Sequence, residues 1–176
     1  MAWSDVDLLV AGRGPGSFTG LRIGMACLKG LAFATSLPLA GISSLEALAA
    51  GSGATGLVVP LFDARKQEVY AAAYRDGAPV LPDCAIAPGD LARSVAALRV
   101  EGEAVTFLGE GLATYSDTFQ GMGVLLGPAF QSPRAALLGL LAARLTAEDL
   151  PPLAALEPNY QRASDAERDR AAKGLT

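Results

Sequence analysis

The sequence predicts an α/β fold, and three observations support that prediction. Short apolar runs alternate with longer segments of helical character, which is the order of elements in sheets covered by helices. Hydrophobic residues make up 51% of the 176-residue chain, enough to build the core of one compact domain or two small lobes. Residues 68–75 alternate between two faces and follow another apolar run, so an antiparallel hairpin is predicted.

A glycine-rich stretch, residues 12–30, joins the first predicted strand to the first predicted helix. Its sequence is GRGPGSFTGLRIGMACLKG. The strand is predicted over 6–11 and the helix over 18–36, with several apolar faces that would bury the helix on more than one side. We expect Ser17 or Thr19 to cap the helix, because a hydroxyl there can accept from the free backbone amides of the first turn.

The rest of the chain continues to alternate strands and helices. Ser43 and Glu46 form a capping-box pattern at the start of the second helix, and the turn 51–56 is the predicted boundary between two lobes. A hairpin with a turn at 63–66, followed by helices and strands, is typical of one ribonuclease-H-like lobe. The remaining strands are predicted over 38–42, 57–62, 68–75, part of 80–86, 105–108 and 123–126, and the remaining helices over 43–50, 88–98, 112–119 and 132–146.

The first helix carries two glycines, Gly20 and Gly24, four residues apart. They lie on one face and leave it without side chains, although each costs about 1 kcal/mol relative to alanine. Close approach of another backbone, from a partner protein or from the same lobe, would offset that cost. Arg22 and Lys29 would flank the surface. The candidate partner-interface residues are Gly16, Ser17, Phe18, Thr19, Gly20, Leu21, Arg22, Gly24, Cys27, Leu28 and Leu31.

Two other interpretations of the glycine-rich stretch stay open. One is a tight turn whose glycines adopt positive φ, and the other is a phosphate site at the N-terminus of the helix. The sequence has no Gly-Lys-Ser or Gly-Lys-Thr triplet, and the glycines do not follow GxGxxG spacing. These departures weaken the phosphate interpretation.

Composition excludes several kinds of chemistry. Histidine is absent, which removes Ser-His-Asp, Cys-His and histidine-based zinc sites. Cys27 and Cys84 lie far apart without metal-ligand spacing, so both are expected to be reduced. The net charge is −4 without a lysine–arginine cluster, so a partner would have to hold most of any RNA. With no signal-peptide pattern and no unbroken apolar span, we expect a cytoplasmic chain that does not enter a membrane.

Three stretches of the sequence resemble one protein family. They are GPGSFTGLRIG with the KGLA and PLAGISSLEALA that follow it, FDARKQEVYAAAY at 62–74, and EPNYQR at 157–162. In this order they are similar to the TsaB (YeaZ) family, in the glycoprotease-like branch of the actin/sugar-kinase/Hsp70 superfamily. The resemblance extends from Asp5 to about Arg162.

The resemblance implies a two-lobe ribonuclease-H-like fold of the actin/Hsp70 type, with an incomplete first lobe. In the family, strands and a helix precede the Gly-Pro-Gly-Ser-Phe-Thr-Gly stretch, and this sequence has no counterpart of them. We therefore expect the first strand to have an unpaired edge. The implied division is a partial first lobe over 1–52, a second lobe over 53–162 and a charged tail over 163–176.

The resemblance also implies a function. TsaB proteins are partners of TsaD and, with the ATPase TsaE, support transfer of threonylcarbamoyl to the tRNA adenosine beside the anticodon. A TsaB-like chain would be a non-catalytic subunit that forms a heterodimer with TsaD and serves tRNA only indirectly. The alternatives are a nucleotide-dependent kinase or acyltransferase of the same superfamily and a stand-alone homodimer.

The sequence departs from the catalytic and nucleotide-binding relatives of this superfamily. ATP-using relatives have an Asp-x-Gly-Gly loop where this chain has Asp63-Ala-Arg-Lys66. Without glycine the backbone cannot approach phosphates closely, so we expect Asp63 to cap a turn. Gly109-Glu110-Gly111 is expected to be a plain turn, and the iron site of TsaD uses two histidines that this chain lacks. We therefore expect no catalytic residue, no cofactor and no metal ligand.

Overall fold

Two β-sheets organise residues 2–161, the part of the chain that the computed structural model describes. The smaller sheet has two parallel strands, β1 (Leu9–Gly12) and β2 (Leu39–Ile42), connected by helix α1 (Phe18–Thr35). Ser17 is the N-cap of α1, and its hydroxyl accepts from the Gly20 amide at 3.3 Å. Of the two caps expected from the sequence, Ser17 is the one used.

Strand β1 is shorter than the strand predicted over 6–11. It begins at Leu9, because its pairing with β2 begins where Leu9 lies opposite Leu39. At its other edge β1 pairs with no strand among residues 2–161, as the sequence led us to expect. The predicted charged tail, 163–176, lies outside the described residues, as does Arg162.

Five strands form the larger sheet: β3 (Leu57–Arg65), β4 (Glu68–Arg75), β5 (Ala78–Ile86), β6 (Val105–Leu108) and β7 (Val124–Leu125). Their order across the sheet is β5-β4-β3-β6-β7. The pairs β3–β4 and β4–β5 are antiparallel, whereas β3–β6 and β6–β7 are parallel. Because β5 is an edge strand, it tolerates Pro79 and Pro82.

The alternation predicted for β4 is confirmed. One face contributes to the hydrophobic core beneath helices α3 (Pro88–Leu98) and α4 (Leu112–Phe119), through Val69, Ala71 and Ala73. The other face contributes Ala72 and Tyr74 to a second core, together with Leu45 and Leu48. The larger sheet is therefore covered on both faces, as expected for an α/β arrangement.

The bounds of one further strand and one helix also differ clearly from their predictions. Strand β3 continues to Arg65, so Lys66 and Gln67, both with positive φ, make the hairpin turn that was predicted over 63–66. Helix α5 (Ala135–Ala142) is shorter than the helix predicted over 132–146. Arg134 is its N-cap and has an extended backbone, so Ser132 and Pro133 lie before the helix.

Two helices connect the sheets. Helix α2 (Ser44–Ala50) packs on β3 and β4, and α5 packs on α2 and on both strands of the smaller sheet. Ser43 caps α2 as predicted, because its hydroxyl accepts from the amides of Leu45 and Glu46. Within residues 2–161 the Glu46 side chain makes no return bond to the Ser43 amide, so the capping box itself is not confirmed. The lobe boundary between residues 52 and 53 stays a prediction. None of the helices in the described part of the chain combines the length and the apolar content needed to cross a membrane.

Candidate partner interface

Helix α1 exposes most of its surface, contrary to the prediction that it is buried on several sides. Only Met25 and Ala32 are buried, and they pack with Ala11, Leu39 and Leu156 in a small core. The prediction failed because the two strands of the smaller sheet cover a narrow side of the helix. Much of the remaining surface carries apolar residues that are exposed in the described part of the chain.

Nine of the eleven predicted interface residues are exposed. The exceptions are Leu21 and Leu28, which are half-buried, and Leu28 packs into the core that contains Met25. A Cβ built on Gly24 would find no atom within 4 Å. The alternative in which the glycine stripe packs within its own lobe is therefore excluded for residues 2–161.

The exposed surface of α1 is wider than the predicted stripe. Ile23 and Phe33, neither of which was in the predicted set, are 60% and 84% exposed. They extend a continuous apolar surface, because residues three and four apart along a helix lie on neighbouring positions of one face. We define the α1 face as Gly20, Ile23, Gly24, Ala26, Cys27, Gly30, Leu31, Phe33 and Ala34, all of which are exposed. A contiguous apolar surface of this kind is typical of protein–protein contacts.

An aromatic and cationic cluster lies at the N-terminal end of the α1 face. The guanidinium carbon of Arg22 lies 4.1 Å from the ring centroid of Phe18, within the range of a cation–π contact. The Arg22 Nε donates to the hydroxyl of Tyr160 at 3.0 Å. The ring centroids of Phe18 and Tyr160 are 5.3 Å apart. Tyr160 was not predicted here, because only the folded chain brings it beside Arg22.

Lys29 does not flank the interface as predicted. It is half-buried, and its Nζ donates to the carbonyl of Ala154 at 3.3 Å. Arg22 lies at the edge of the helix surface, where its guanidinium contacts Phe18 and Tyr160. Of the two predicted flanking charges, Arg22 is therefore the one that lies beside the interface.

A second polar cluster surrounds Asp83 on β5. Its carboxylate accepts from the Ser43 hydroxyl at 2.7 Å, from the Asn159 side-chain amide at 2.8 Å and from the Tyr74 hydroxyl at 3.4 Å. Burial raises the pKa of Asp83, although these hydrogen bonds and the charge of Arg13 act in the opposite direction. No sequence pattern indicated this cluster, since its members come from four separate segments.

The Asp83 carboxylate also affects its neighbours. Burial, and then the charge of Asp83, raise the pKa of the Glu46 carboxyl. The same two causes raise the pKa of the Tyr74 hydroxyl well above its usual range. Among residues 2–161 no buried side-chain nitrogen or oxygen lacks a hydrogen-bond partner, so this cluster is fully satisfied. Its arrangement is that of a structural hydrogen-bond network.

A cleft of about 550 Å³ opens beside the N-terminus of α1. Its lining includes Ser17, Phe18, Asp63, Arg65 and Glu110. Asp63 accepts from the Arg65 amide at 2.8 Å and forms an ion pair with the Arg65 guanidinium at 3.3 Å, so its predicted role as a turn cap is confirmed.

The glycines of this region also have structural roles. Gly14 adopts φ of 101°, which confirms that the first glycine-rich turn needs a positive-φ residue. Gly109 adopts φ of 113°, and a Cβ there would lie 2.1 Å from the Leu61 carbonyl oxygen. The second glycine pair therefore permits a close approach to β3, in addition to the plain turn predicted.

Comparison with known proteins agrees with the resemblance seen in the sequence. A family model described as "TsaD: tRNA N6-adenosine threonylcarbamoyltransferase" matches residues 1–168. The tRNA threonylcarbamoyladenosine biosynthesis protein TsaB of Bacillus subtilis (strain 168) is 35% identical over 176 residues, covering 95% of this chain and 74% of the relative. The TsaB protein of Escherichia coli (strain K12) is 46% identical over 76 residues, covering 41% of this chain and 32% of the relative.

Solved structures with the same fold include YeaZ from Pseudomonas aeruginosa. That structure matches with a TM-score of 0.74 and 29% sequence identity, covering 90% of this chain and 77% of the other. The predicted ribonuclease-H-like fold is consistent with this likeness and with the five-stranded sheet of the structure.

Proposed function

The chain belongs to the TsaB (YeaZ) family of the glycoprotease-like proteins and takes part in tRNA threonylcarbamoyladenosine biosynthesis, and we propose that it does so as a non-catalytic partner of a TsaD-like transferase. The partner carries out threonylcarbamoyl transfer to the tRNA adenosine next to the anticodon. This chain forms a heterodimer with the partner and holds it in a competent arrangement. A TsaE-like ATPase joins the two in a larger complex in the cytoplasm.

The α1 face is the observation that carries this proposal. It is apolar along three turns or more of an 18-residue helix, and Gly24 leaves open space for a second backbone. Small residues in such a stripe allow two helices to approach closely. Phe18 and Arg22 extend the surface with residue types that are common at protein interfaces.

Two polar side chains of the cleft, those of Asp63 and Ser17, support a non-catalytic role. Asp63 is engaged by the Arg65 amide and guanidinium, and Ser17 caps α1. These side chains, which could otherwise act on a bound ligand, are thus used to hold the local backbone. The net charge of −4 supports a division of labour in which the partner holds the tRNA.

Substitution of Gly24 tests the proposal. Gly24→Leu adds a side chain in the middle of the α1 face, so affinity for a TsaD-like protein should fall by on the order of tenfold or more. Folding should be preserved, because leucine favours a helix more than glycine does. Isothermal titration calorimetry with the TsaD-like protein of the same organism measures the change.

Gly139→Leu is the matched control, because Gly139 is also exposed on a helix, and a Cβ built there would find no atom within 4 Å, but it lies in α5. It should bind as the unmodified chain does. Unchanged affinity of Gly24→Leu would exclude the α1 face as the interface. If the chain forms a homodimer and does not bind the TsaD-like protein, the stand-alone homodimer is favoured. Large and saturable thermal stabilisation of the chain by ATP and magnesium would favour the nucleotide-dependent enzyme.

A further inference from the structure

The last described segment, residues 153–161, crosses the smaller sheet and reaches Phe18 and Arg22 at the N-terminal end of α1; we name it the strap. Leu156 is buried in the core beneath α1. A Cβ built on Gly41 would lie 2.7 Å from Leu156 Cδ1, so the strap lies directly on β2. The middle of the strap is thus packed against the smaller sheet through Leu156.

Asn159 ties the strap to both sheets. Its backbone amide donates to the carbonyl of Arg13, next to β1, at 2.6 Å. Its side-chain amide donates to Asp83 on β5 at 2.8 Å. Asp83 in turn accepts from Ser43, the cap of α2, so one carboxylate connects the strap, the larger sheet and the helix between the sheets.

Tyr160, the next residue, lies on the N-terminal end of α1. Its ring packs against Phe18 and its hydroxyl accepts from Arg22. Asn159 and Tyr160 are adjacent in the chain, so the position of Asn159 limits where Tyr160 can lie. The Asp83 network therefore acts on the same aromatic cluster that extends the α1 face.

We propose that the Asp83–Asn159 hydrogen bond is a latch that holds Tyr160 against Phe18 and Arg22 and thereby raises the affinity of the α1 face for its protein partner. The inference rests on the proposed function, since the affinity is that for a TsaD-like protein. Asp83 and Asn159 act as positioning residues, because neither belongs to the α1 face. When the latch is broken, Tyr160 leaves Arg22, and the partner has to order this end of its binding surface.

Variants that break the latch test the inference. Asn159→Ala and Asp83→Ala should each weaken binding of the TsaD-like protein about tenfold. The double variant should bind no more weakly than Asp83→Ala alone, because that substitution already removes the bond from Asn159 together with those from Ser43 and Tyr74. Ser52→Ala is the control, since the Ser52 side chain, like that of Asn159, makes two hydrogen bonds, in its case to the backbone of Ala49 and Ala54, but it does not bond to the strap.

Hydrogen exchange of the free chain provides a readout that does not depend on the partner. Exchange of residues 156–161 should become faster in both latch variants and stay unchanged in Ser52→Ala. Unchanged exchange in the latch variants, or faster exchange with unchanged affinity, would overturn the latch alone. Additive losses of affinity in the double variant would also overturn it. Failure of the unmodified chain to bind the TsaD-like protein would overturn the proposed function, and the latch with it.

Discussion

Gly109 determines how closely the chain passes β3 after it leaves β6. Its φ of 113° is a backbone conformation that residues other than glycine rarely adopt. A Cβ built on Gly109 would lie 2.1 Å from the Leu61 carbonyl oxygen. Gly111 follows, and its amide donates to the same oxygen at 3.2 Å. Two separate constraints, the positive φ and the lack of room for a Cβ beside Leu61, therefore require glycine at position 109.

Replacement of Gly109 separates these two constraints. Gly109→Ala should lower the free energy of unfolding by about 2–4 kcal/mol, because the methyl group would collide with backbone atoms that cannot move independently. Gly77→Ala is the control, since Gly77 has φ of 82° but open space around a Cβ, and it should cost about 1 kcal/mol. Urea denaturation measures the free energy of unfolding of both variants. Equal losses in the two variants would contradict the close approach of Gly109 to Leu61.

Residue identity alone predicted some sites and missed others. Ser17, Ser43 and Asp63 were assigned as caps correctly, because each bonds to backbone within three residues. The bond between Asp83 and Asn159 joins residues 76 apart in sequence, and no local pattern marks either partner. Long-range polar contacts of this kind follow only from the folded chain.

At the scale of elements, patterns predicted which segments form but not what covers them. The alternation in β4 identified its two faces, because a strand buried on both sides still separates them by a period of two. Helix α1 was placed correctly but its exposure was not predicted. An apolar helix surface looks the same in sequence whether its own lobe or a partner covers it.

The Arg75–Glu103 pair shows how a polar contact fixes one element to another. Arg75, the last residue of β4, donates from Nε and Nη2 to Glu103 at 2.5 and 2.9 Å and from Nη2 to the carbonyl of Leu98 at the end of α3. The hydrogen bonds from Arg75, and next that from the Val100 amide, lower the pKa of Glu103 to about 2. This carboxylate therefore links β4 to the segment that leads into β6.

This pair should make stability depend on pH in a defined window. The folded-state pKa of Glu103 lies below the ordinary value of 4.5, so its contribution is complete above pH 4.5 and is lost as the pH falls toward 2. Glu103→Gln should be less stable than the unmodified chain at pH 7, with the difference shrinking between pH 4.5 and 2. The midpoints of urea unfolding of both chains, measured between pH 4.5 and 2, give this difference in stability. A difference that does not change with pH would contradict the assignment of the pH dependence to Glu103.

At the scale of the whole molecule, two sheets of different size are joined by α2, α5 and the strap. The larger sheet has helices and core residues on both faces, whereas the smaller one supports a helix whose outer surface is left uncovered within residues 2–161. The molecule therefore has one sheet that is covered on both faces and one uncovered apolar surface, the α1 face, which we propose binds the partner. The sequence predicted the order of the elements, but the width of the α1 face followed only from the structure.

Alkylation of the two cysteines tests most directly whether the α1 face is the partner interface. Cys27 is exposed on that face, whereas Cys84 is half-buried on β5 and serves as the internal reference. Mass spectrometry after iodoacetamide treatment should show Cys27 protected when the TsaD-like protein is bound and Cys84 unchanged. Equal modification of Cys27 in the free chain and in the complex would contradict the account.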